Sequence, residues 1–572
     1  MAYFVKKSNT KKGLYLQIYF SYRDPQTKSP KNKSYCSIGY AQDLIDSGIS
    51  DPIAYCQQKV DLLNREFHEQ KSRHKVQKIG ETSPVRYLGH FAAAAIMRKL
   101  DIQEDIDLFS SSRNFQFSSF DCLSFLTYAR LLCPSSKRQT CASVLPHIYN
   151  CPSFSYDQIL SYLDFIGSNY DKFVEMFTKH VDETYILDYS KAYFDCTNFY
   201  FEIDREDDWR RKGPSKENRN DPILGLGLLL DQNCIPVGMK LYPGNQSEKP
   251  ILRDTINQLR RQAHVSGKIV QVADKGLNCT KNIHQALSNG DGYIFSKSVK
   301  TLNKMEQDWA LNDKGFYSVK DQENNEKYKI KSCVDVYTYT YKDENERKHT
   351  FKVKEKRIVT YNPSLARKQR AEIKKLEDKA NGCVLSQAKK AEYGESAKYV
   401  KFYSANKKTG ELSEDSAILA SINEEKIKKD LDCAGYNMII TSEIQMEDQE
   451  IYRTYHQLWR IEESFKTMKS QLDARPVYLQ NIDRIKGHFL ICYLSVLLER
   501  IIQFKVLDDQ FGSEQVYRFM REFKICPLHS KEYMNQATSS EVFDYIEKKY
   551  GLPVANLYLK KSDITKILER AL

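Results

Sequence analysis

Tyr193-Phe194-Asp195-Cys196-Thr197-Asn198-Phe199-Tyr200-Phe201 is an aromatic-rich run with one carboxylate inside it. Such a run reads as a β-strand. A carboxylate among aromatic neighbours is costly unless a cation accompanies it. Asp195 is therefore a candidate metal ligand. Two more apolar runs follow, Ile223-Leu224-Gly225-Leu226-Gly227-Leu228-Leu229-Leu230 and Ile235-Pro236-Val237-Gly238-Met239-Lys240-Leu241. The turn Asp231-Gln232-Asn233 joins them as a hairpin. A helix is expected from about Pro250 to Ala263. Then Ile269-Val270-Gln271-Val272-Ala273-Asp274 reads as a strand closing on a second carboxylate, just before Lys275-Gly276. Another helix leads to a further strand, Gly292-Tyr293-Ile294-Phe295-Ser296.

Three neighbouring strands, a helix, then strand, helix and strand is the element order of an RNase H-like core. By analogy with that fold, the first and fourth strands lie side by side, so Asp195 and Asp274 would be neighbours in space. A third acidic residue, Glu462, stands far downstream on an expected helix that begins Tyr455-His456-Gln457-Leu458-Trp459-Arg460-Ile461. Tyr455, Leu458, Glu462 and Lys469 fall on one helical face, and Lys466 joins them. Leu458, Ile461, Phe465, Met468 and Leu472 form a core stripe at the same period, so the helix alone also fits a plain amphipathic element. Glu463 is adjacent, but the spacing to Tyr455 and Lys469 selects Glu462. Two strand carboxylates and one helix carboxylate can converge on a pair of hard divalent cations. A two-metal site of that kind cuts and joins phosphodiester bonds.

The rest of the chain frames this core. Its 572 residues are too many for one domain. The expected class is α/β multidomain. A small β hairpin unit is expected over 1–48 and a helical, DNA-binding region over 49–182. The core's first part spans 183–299, and a mainly β insertion with a basic helix spans 300–432. The core's second part spans 433–505, and a helical tail covers 506–572. Pro134-Ser135-Ser136-Lys137-Arg138 breaks the helical region as a turn with exposed basic residues. Lys and Arg number 87 against 75 Asp and Glu, a net charge of +12 that favours a polyanionic partner. The fourteen cysteines show no zinc spacing and read as reduced thiols of a cytosolic protein. The apolar stretch Phe489 to Leu498 is too short to span a bilayer and reads as a buried helix.

Residue by residue, this pattern resembles the DDE transposases of bacterial insertion sequences. One branch carries a helix signature of Tyr, two residues, Arg, three residues, Glu, six residues, Lys. Tyr455, Glu462 and Lys469 match it, and Leu458 occupies the Arg position. Arg460 lies about 200° round the helix and cannot replace that arginine. Further blocks fit in order: Gly213-Pro214-Ser215-Lys216-Glu217-Asn218-Arg219, Pro243-Gly244-Asn245-Gln246-Ser247-Glu248, Val272-Ala273-Asp274-Lys275-Gly276, Arg475-Pro476-Val477-Tyr478 and Ile485-Lys486-Gly487-His488. The resemblance covers about 190 to 500.

The resemblance implies that Asp195, Asp274 and Glu462 are catalytic and bind two Mg²⁺ or Mn²⁺ ions. It implies DNA cleavage at transposon ends and strand transfer into target DNA, by a homodimer on double-stranded DNA. Tyr455, Lys466, Lys469, Arg460, Arg210, Arg211, Lys216 and Arg219 are candidate DNA contacts. Asn245 and Glu248 are candidate supporting residues. Trp309 has two readings, packing or stacking on an unpaired base at the transposon end. His488 reads as a hydrogen-bonded core histidine. The expected location is the bacterial cytoplasm, on the nucleoid when bound to DNA, with no membrane partner. Three rival readings are a domesticated relative that only binds DNA, an RNase H-like nuclease or resolvase without strand transfer, and a metal-free glycosidase built on a carboxylate pair.

Overall fold

Every residue of the Ile223–Leu230 strand is buried, as expected of a strand covered on both faces. Its setting explains that burial. The computed structural model describes residues 3–572 except 25–28, 73–82, 217–219, 264, 321–326, 387–389, 406–411, 414–418 and 529–531. The chain divides into two compact units, Met1–Ser83 and Pro84–Leu572.

In the first unit, β1 (Tyr3–Thr10), β2 (Gly13–Arg23) and β3 (Pro30–Tyr40) form an antiparallel meander. The expected hairpin is β2–β3. The strand β1 is hidden in the sequence because its second half, Lys6-Lys7-Ser8-Asn9-Thr10, is polar. The Pro52–Ser72 helix belongs to the same unit. Asn64 ties it to β1, accepting from the Tyr3 amide at 2.7 Å and donating to the Tyr3 carbonyl at 3.0 Å.

The second unit begins with β4 (Arg86–Tyr87) and a set of helices. The central sheet then starts with β5 (Lys191–Tyr200), β6 (Ile223–Leu230) and β7 (Pro236–Pro243), an antiparallel set. β8 (Val270–Ala273) runs parallel to β5, and β9 (Gly292–Lys297) runs parallel to β8. The strand order is thus β7-β6-β5-β8-β9. The expectation that the Asp195 and Asp274 strands lie side by side is met. The Glu248–Gln262 helix covers one sheet face, where Ile251 and Phe194 crowd Gly227. Phe199 points to the opposite face and meets Phe489 of the Ile482–Ile501 helix at 4.8 Å.

That last helix is buried over nearly its whole length. It crosses the Tyr156–Ser168 helix backbone to backbone. A Cβ on Gly167 would come within 1.6 Å of the Asp483 carbonyl oxygen, and one on Gly487 within 2.6 Å of that of Leu163. Arg484 pins the crossing with two hydrogen bonds of 2.9 Å to Asp164. Among the described residues no helix is long and apolar enough to cross a membrane.

The 300–432 stretch divides in two. β10 (Tyr317–Lys320), β11 (Lys327–Lys342) and β12 (Lys348–Tyr361) continue the central sheet, because β12 pairs with β16 (Tyr436–Thr441) and β16 with β9. The Pro363–Leu385 helix, the small sheet of β13 (Val400–Ala405), β14 (Leu412–Ser413) and β15 (Leu419–Ile422), and the Glu424–Asp432 helix share a separate core of Ile373, Tyr393, Tyr399 and Ile427. The tail corrects the expectation of a helical segment. β17 (Lys524–Pro527), β18 (Glu532–Asn535) and β19 (Tyr558–Lys560) interrupt its helices, and β17 pairs with β4. Three- and four-residue strands carry no readable period. They form here because other strands supply the hydrogen bonds: β18 joins β17 to β19, and β4, from the other end of the unit, completes β17.

The Asp231 turn makes the stability of the fold depend on pH. Its carboxylate accepts from the Ile235 amide at 2.8 Å and the Asp188 amide at 3.2 Å. Burial pushes its pKa up to about 6 despite these bonds. A raised carboxyl binds its proton more tightly in the folded chain, so its stabilising contribution is full below the unfolded pKa of 3.8 and is lost as pH rises through about 6. The stability of Asp231→Asn relative to the parent will therefore rise between pH 4 and pH 7, by on the order of 3 kcal/mol. Urea titrations of both proteins at the two pH values check this.

Candidate active site

Two acidic residues meet because of strand register. Phe194 of β5 pairs with Ala273 of β8 in parallel, so the next residue on each strand, Asp195 and Asp274, are neighbours. β8 ends there, and the chain turns away with Leu277 donating to the Asp274 carbonyl at 3.0 Å. The Asp274 carboxylate accepts from Ser296 Oγ of β9 at 2.9 Å and from the Tyr455 hydroxyl at 3.0 Å. Burial and the nearby Asp274 charge both push the Tyr455 phenol up, so it stays protonated and donates.

Asp195 is placed differently. Lys216 Nζ lies 3.8 Å from its carboxylate and 3.9 Å from that of Glu248. The same ammonium donates to the Cys196 carbonyl. Burial pushes Asp195 up to about 6; Glu248 and Asp274 add to the rise, and Lys216 opposes it. One lysine thus faces two carboxylates, Asp195 and Glu248, in a partly dry setting, and the Asp274 charge is felt at Asp195. The cluster is short of positive charge, and its donors are hard oxygens. Both features fit a divalent cation. A cavity of about 560 Å³ opens beside it, walled in part by Asn198, Lys216, Asn245, Glu248 and Gly276.

Glu462 is not gathered into this cluster. Among the described residues no group of three or more His, Cys, Asp or Glu is close enough to hold a metal ion. The expected continuous helix is tightened at Gln457–Leu458, where the angles stay right-handed helical and the hydrogen bonds shorten to three-residue steps. Asp448–His456 leads through this tight turn into Trp459–Lys466, and Thr467–Gln471 widens into a π turn. Tertiary ties set this path, since Tyr455 is held on Asp274 while Leu458 is buried in the core. The apolar stripe is otherwise as expected, with Ile461, Phe465, Met468 and Leu472 all buried. Glu462 is exposed. Glu463 is half-buried and paired to Arg500 at 2.9 Å.

The candidate DNA contacts separate into engaged and outward-facing groups. Arg210 is a correction: it is 8 % exposed, bonded to Asp207 at 2.6 Å and to Gln480 at 3.3 Å, so it braces its own loop. Arg460 is tied to Asp509 at 3.0 Å and lies over Trp459 at 4.1 Å. Arg211 pairs with Glu206 and Asp208. Tyr455 spends its hydroxyl on Asp274, a positioning role the spacing does not reveal. Lys466 is exposed, and Lys469 lies 5.6 Å from the Phe199 ring. Arg219 lies outside the described residues. Trp309 is half-buried against the core, with Lys331 Nζ 5.1 Å from its ring. His488 is buried with Nε2 3.1 Å from the Ala474 carbonyl.

Sequence reasoning misses Ser296 as a partner of Asp274. Its only signal is one hydroxyl near the end of the apolar strand Tyr293-Ile294-Phe295. The sequence gives Glu248 no more than a supporting place, yet it shares Lys216 with Asp195. Hydrogen bonds to a charged group are worth about 1.5–3 kcal/mol. Tyr455→Phe should therefore slow a reaction at Asp274 by about 10- to 100-fold while leaving DNA affinity intact. Single-turnover cleavage and gel-shift titrations measure the two effects.

The family model described as "Transposase DDE domain" matches residues 197–498, more than half of the chain. The match begins two residues after Asp195 and contains Asp274 and Glu462. No curated protein matches the chain.

Proposed function

Since the chain belongs to the DDE transposase family, whose members act on DNA with divalent metal ions, we propose that it is a cut-and-paste transposase with Asp195, Asp274 and Glu462 as its metal-holding carboxylates. The observation that carries this reading is the pairing of Asp195 and Asp274 across parallel strands, with Lys216 against the first and Tyr455 on the second. The order β7-β6-β5-β8-β9, with its last three strands parallel, supports an RNase H-like core.

In this reading, water cleaves the phosphodiester at the transposon end and releases a 3′-hydroxyl. That hydroxyl attacks a target phosphodiester, forms the new bond and displaces a target 3′-oxygen. Two Mg²⁺ ions would supply Lewis acidity at the attacking and leaving oxygens when bound. Tyr455 and Ser296 hold Asp274 in one orientation. Lys216 limits repulsion within the carboxylate cluster. Lys466 and Lys469 offset phosphate charge beside Glu462. Leu458 makes no such contact, because it is buried where the signature carries arginine. The β unit and the helical region recognise the ends, and two protomers bring two ends together on the bacterial nucleoid.

The test is a supercoiled plasmid carrying the DNA that flanks the gene, incubated with and without Mg²⁺. Metal-dependent nicks at the ends followed by joined products are expected. Binding without nicking in Mg²⁺ or Mn²⁺, or cleavage without joining, would overturn the proposal.

A further inference from the structure

Lys137, expected in an exposed turn, is 5 % exposed. Among the described residues its ammonium has no hydrogen bond and no ion pair. It lines a cavity of about 640 Å³ formed between the Pro134–Arg138 turn and the segment Asp473–Leu479. Arg130, 4 % exposed, lies on the same wall. Its guanidinium donates to the Leu472 carbonyl at 3.1 Å and the Ser135 carbonyl at 2.9 Å. Neither bond supplies negative charge. Arg138 and Arg475 add two more cations to the lining, and its one carboxylate, Asp473, is exposed.

A buried guanidinium and a buried amine without a counter-charge are costly in an isolated protein; burial and the Arg130 charge hold Lys137 well below the ordinary lysine range, so an anion in the cavity would favour its charged form. The turn nevertheless holds Lys137 in place. Ser136 caps the short helix by accepting from the Gln139 amide at 3.2 Å, and the Ser135 and Thr140 hydroxyls meet at 2.9 Å. His488, on the cavity wall, is kept neutral by burial and by the Lys137 and Arg130 charges. The cavity is thus a preformed basic pocket whose one lining carboxylate, Asp473, faces outward.

We propose that this cavity is a phosphate-binding pocket, with Lys137 and Arg130 as its floor, that seats a phosphate of the bound DNA strand. The walls favour a nucleic acid strand over a free ion. Tyr156 and Tyr478 line the cavity, and Tyr478 is 73 % exposed, an open ring on which a base can stack. Arg475 lies over the ring of Tyr200, the last residue of β5, at 4.9 Å. One wall residue of the pocket, Arg475, therefore lies beside the last residue of the strand that carries Asp195, five residues or roughly 17 Å along it at about 3.3 Å per residue. A strand leaving Asp195 in that direction passes it. The choice of DNA as the source rests on the proposed function; the phosphate chemistry does not.

Lys137→Met tests the pocket without emptying the core, because an apolar side chain of similar length replaces a buried cation at little or no cost in stability. Both measurements are made without divalent metal, so they stand apart from strand cleavage. Inorganic phosphate, compared with chloride at equal ionic strength, should raise the melting temperature of the parent by on the order of 1–3 °C, and Lys137→Met should lose that rise. A short single-stranded oligonucleotide should bind Lys137→Met about 10-fold more weakly, with the slope of log K against log salt flattened by about 0.7. Arg138→Gln, on the exposed side of the turn, should weaken both responses and keeps the test open if Lys137→Met does not fold. Equal phosphate responses in parent and variants overturn the pocket. A lost phosphate response with unchanged oligonucleotide affinity overturns DNA as the source and leaves free phosphate as the ligand.

Discussion

Asp195→Asn and Asp274→Asn will each abolish metal-dependent strand cleavage while DNA binding survives. Removing one carboxylate from a site that holds divalent ions costs several kcal/mol of transition-state stabilisation, a rate loss on the order of 10³-fold or more. Metal binding gives a readout independent of activity. A ligand that binds only the folded chain raises its melting temperature. Mg²⁺ or Mn²⁺ should do so for the parent and not for Asp195→Asn. Glu462 and Glu463 separate in the same experiment. Glu462 is exposed, so Glu462→Gln should lose cleavage with stability within about 0.5 kcal/mol of the parent. Glu463 is paired to Arg500, so Glu463→Gln should lose stability first. Full cleavage by Glu462→Gln would remove the third carboxylate from the site.

Arg500→Ala will destabilise the second unit by about 3–5 kcal/mol. Arg500 is fully buried, 2.9 Å from Glu463, 2.6 Å from Gln503 and 3.6 Å from Glu499. Glu499 is fully buried as well, and burial pushes its carboxyl up while Arg500 pulls it down. Taking the guanidinium away leaves that carboxyl in the core without its cation. The double variant Glu499→Met with Arg500→Met should recover most of the loss, since it removes both charges and keeps the volume. Denaturant unfolding of the single and double variants measures the difference. A double variant no more stable than the single would show that packing, and not charge, sets the cost. The network also joins the Ile482–Ile501 helix to the Trp459–Lys466 helix, so its loss should loosen the backbone that carries Glu462.

Part of the site is legible in the chain alone. Asp195 and Asp274 stand out because each lies in or at the end of a short apolar strand, where a carboxylate has no structural use. Their adjacency is expected by analogy with a fold of the same element order, and the parallel pairing of β5 with β8 supplies it. Glu462 is harder. Its seven-residue spacings assume one regular helix, and the chain tightens at Gln457–Leu458 and widens at Thr467–Gln471. Helical spacing cannot register such changes, because they arise from Tyr455 and Leu458 being held by other elements. The basic loop misleads for a similar reason. Arg210 and Arg211 look alike in the chain, yet Arg210 is held by Gln480, far away in sequence.

Strands β5 to β9, the buried Ile482–Ile501 helix and the two strand carboxylates are readable along the chain, because periodicity and turn chemistry act over about ten residues. What each charge faces is set by contacts between distant segments. They put the Tyr455 hydroxyl on Asp274, make Lys216 the shared cation of Asp195 and Glu248, and draw Lys137 from an expected surface turn into a cavity. They also pair β17 with β4 and let β10–β12 extend the central sheet. The physical reason is common to all of these. Charge pairing and strand pairing depend on distance in space, and distant segments meet only once the core has closed.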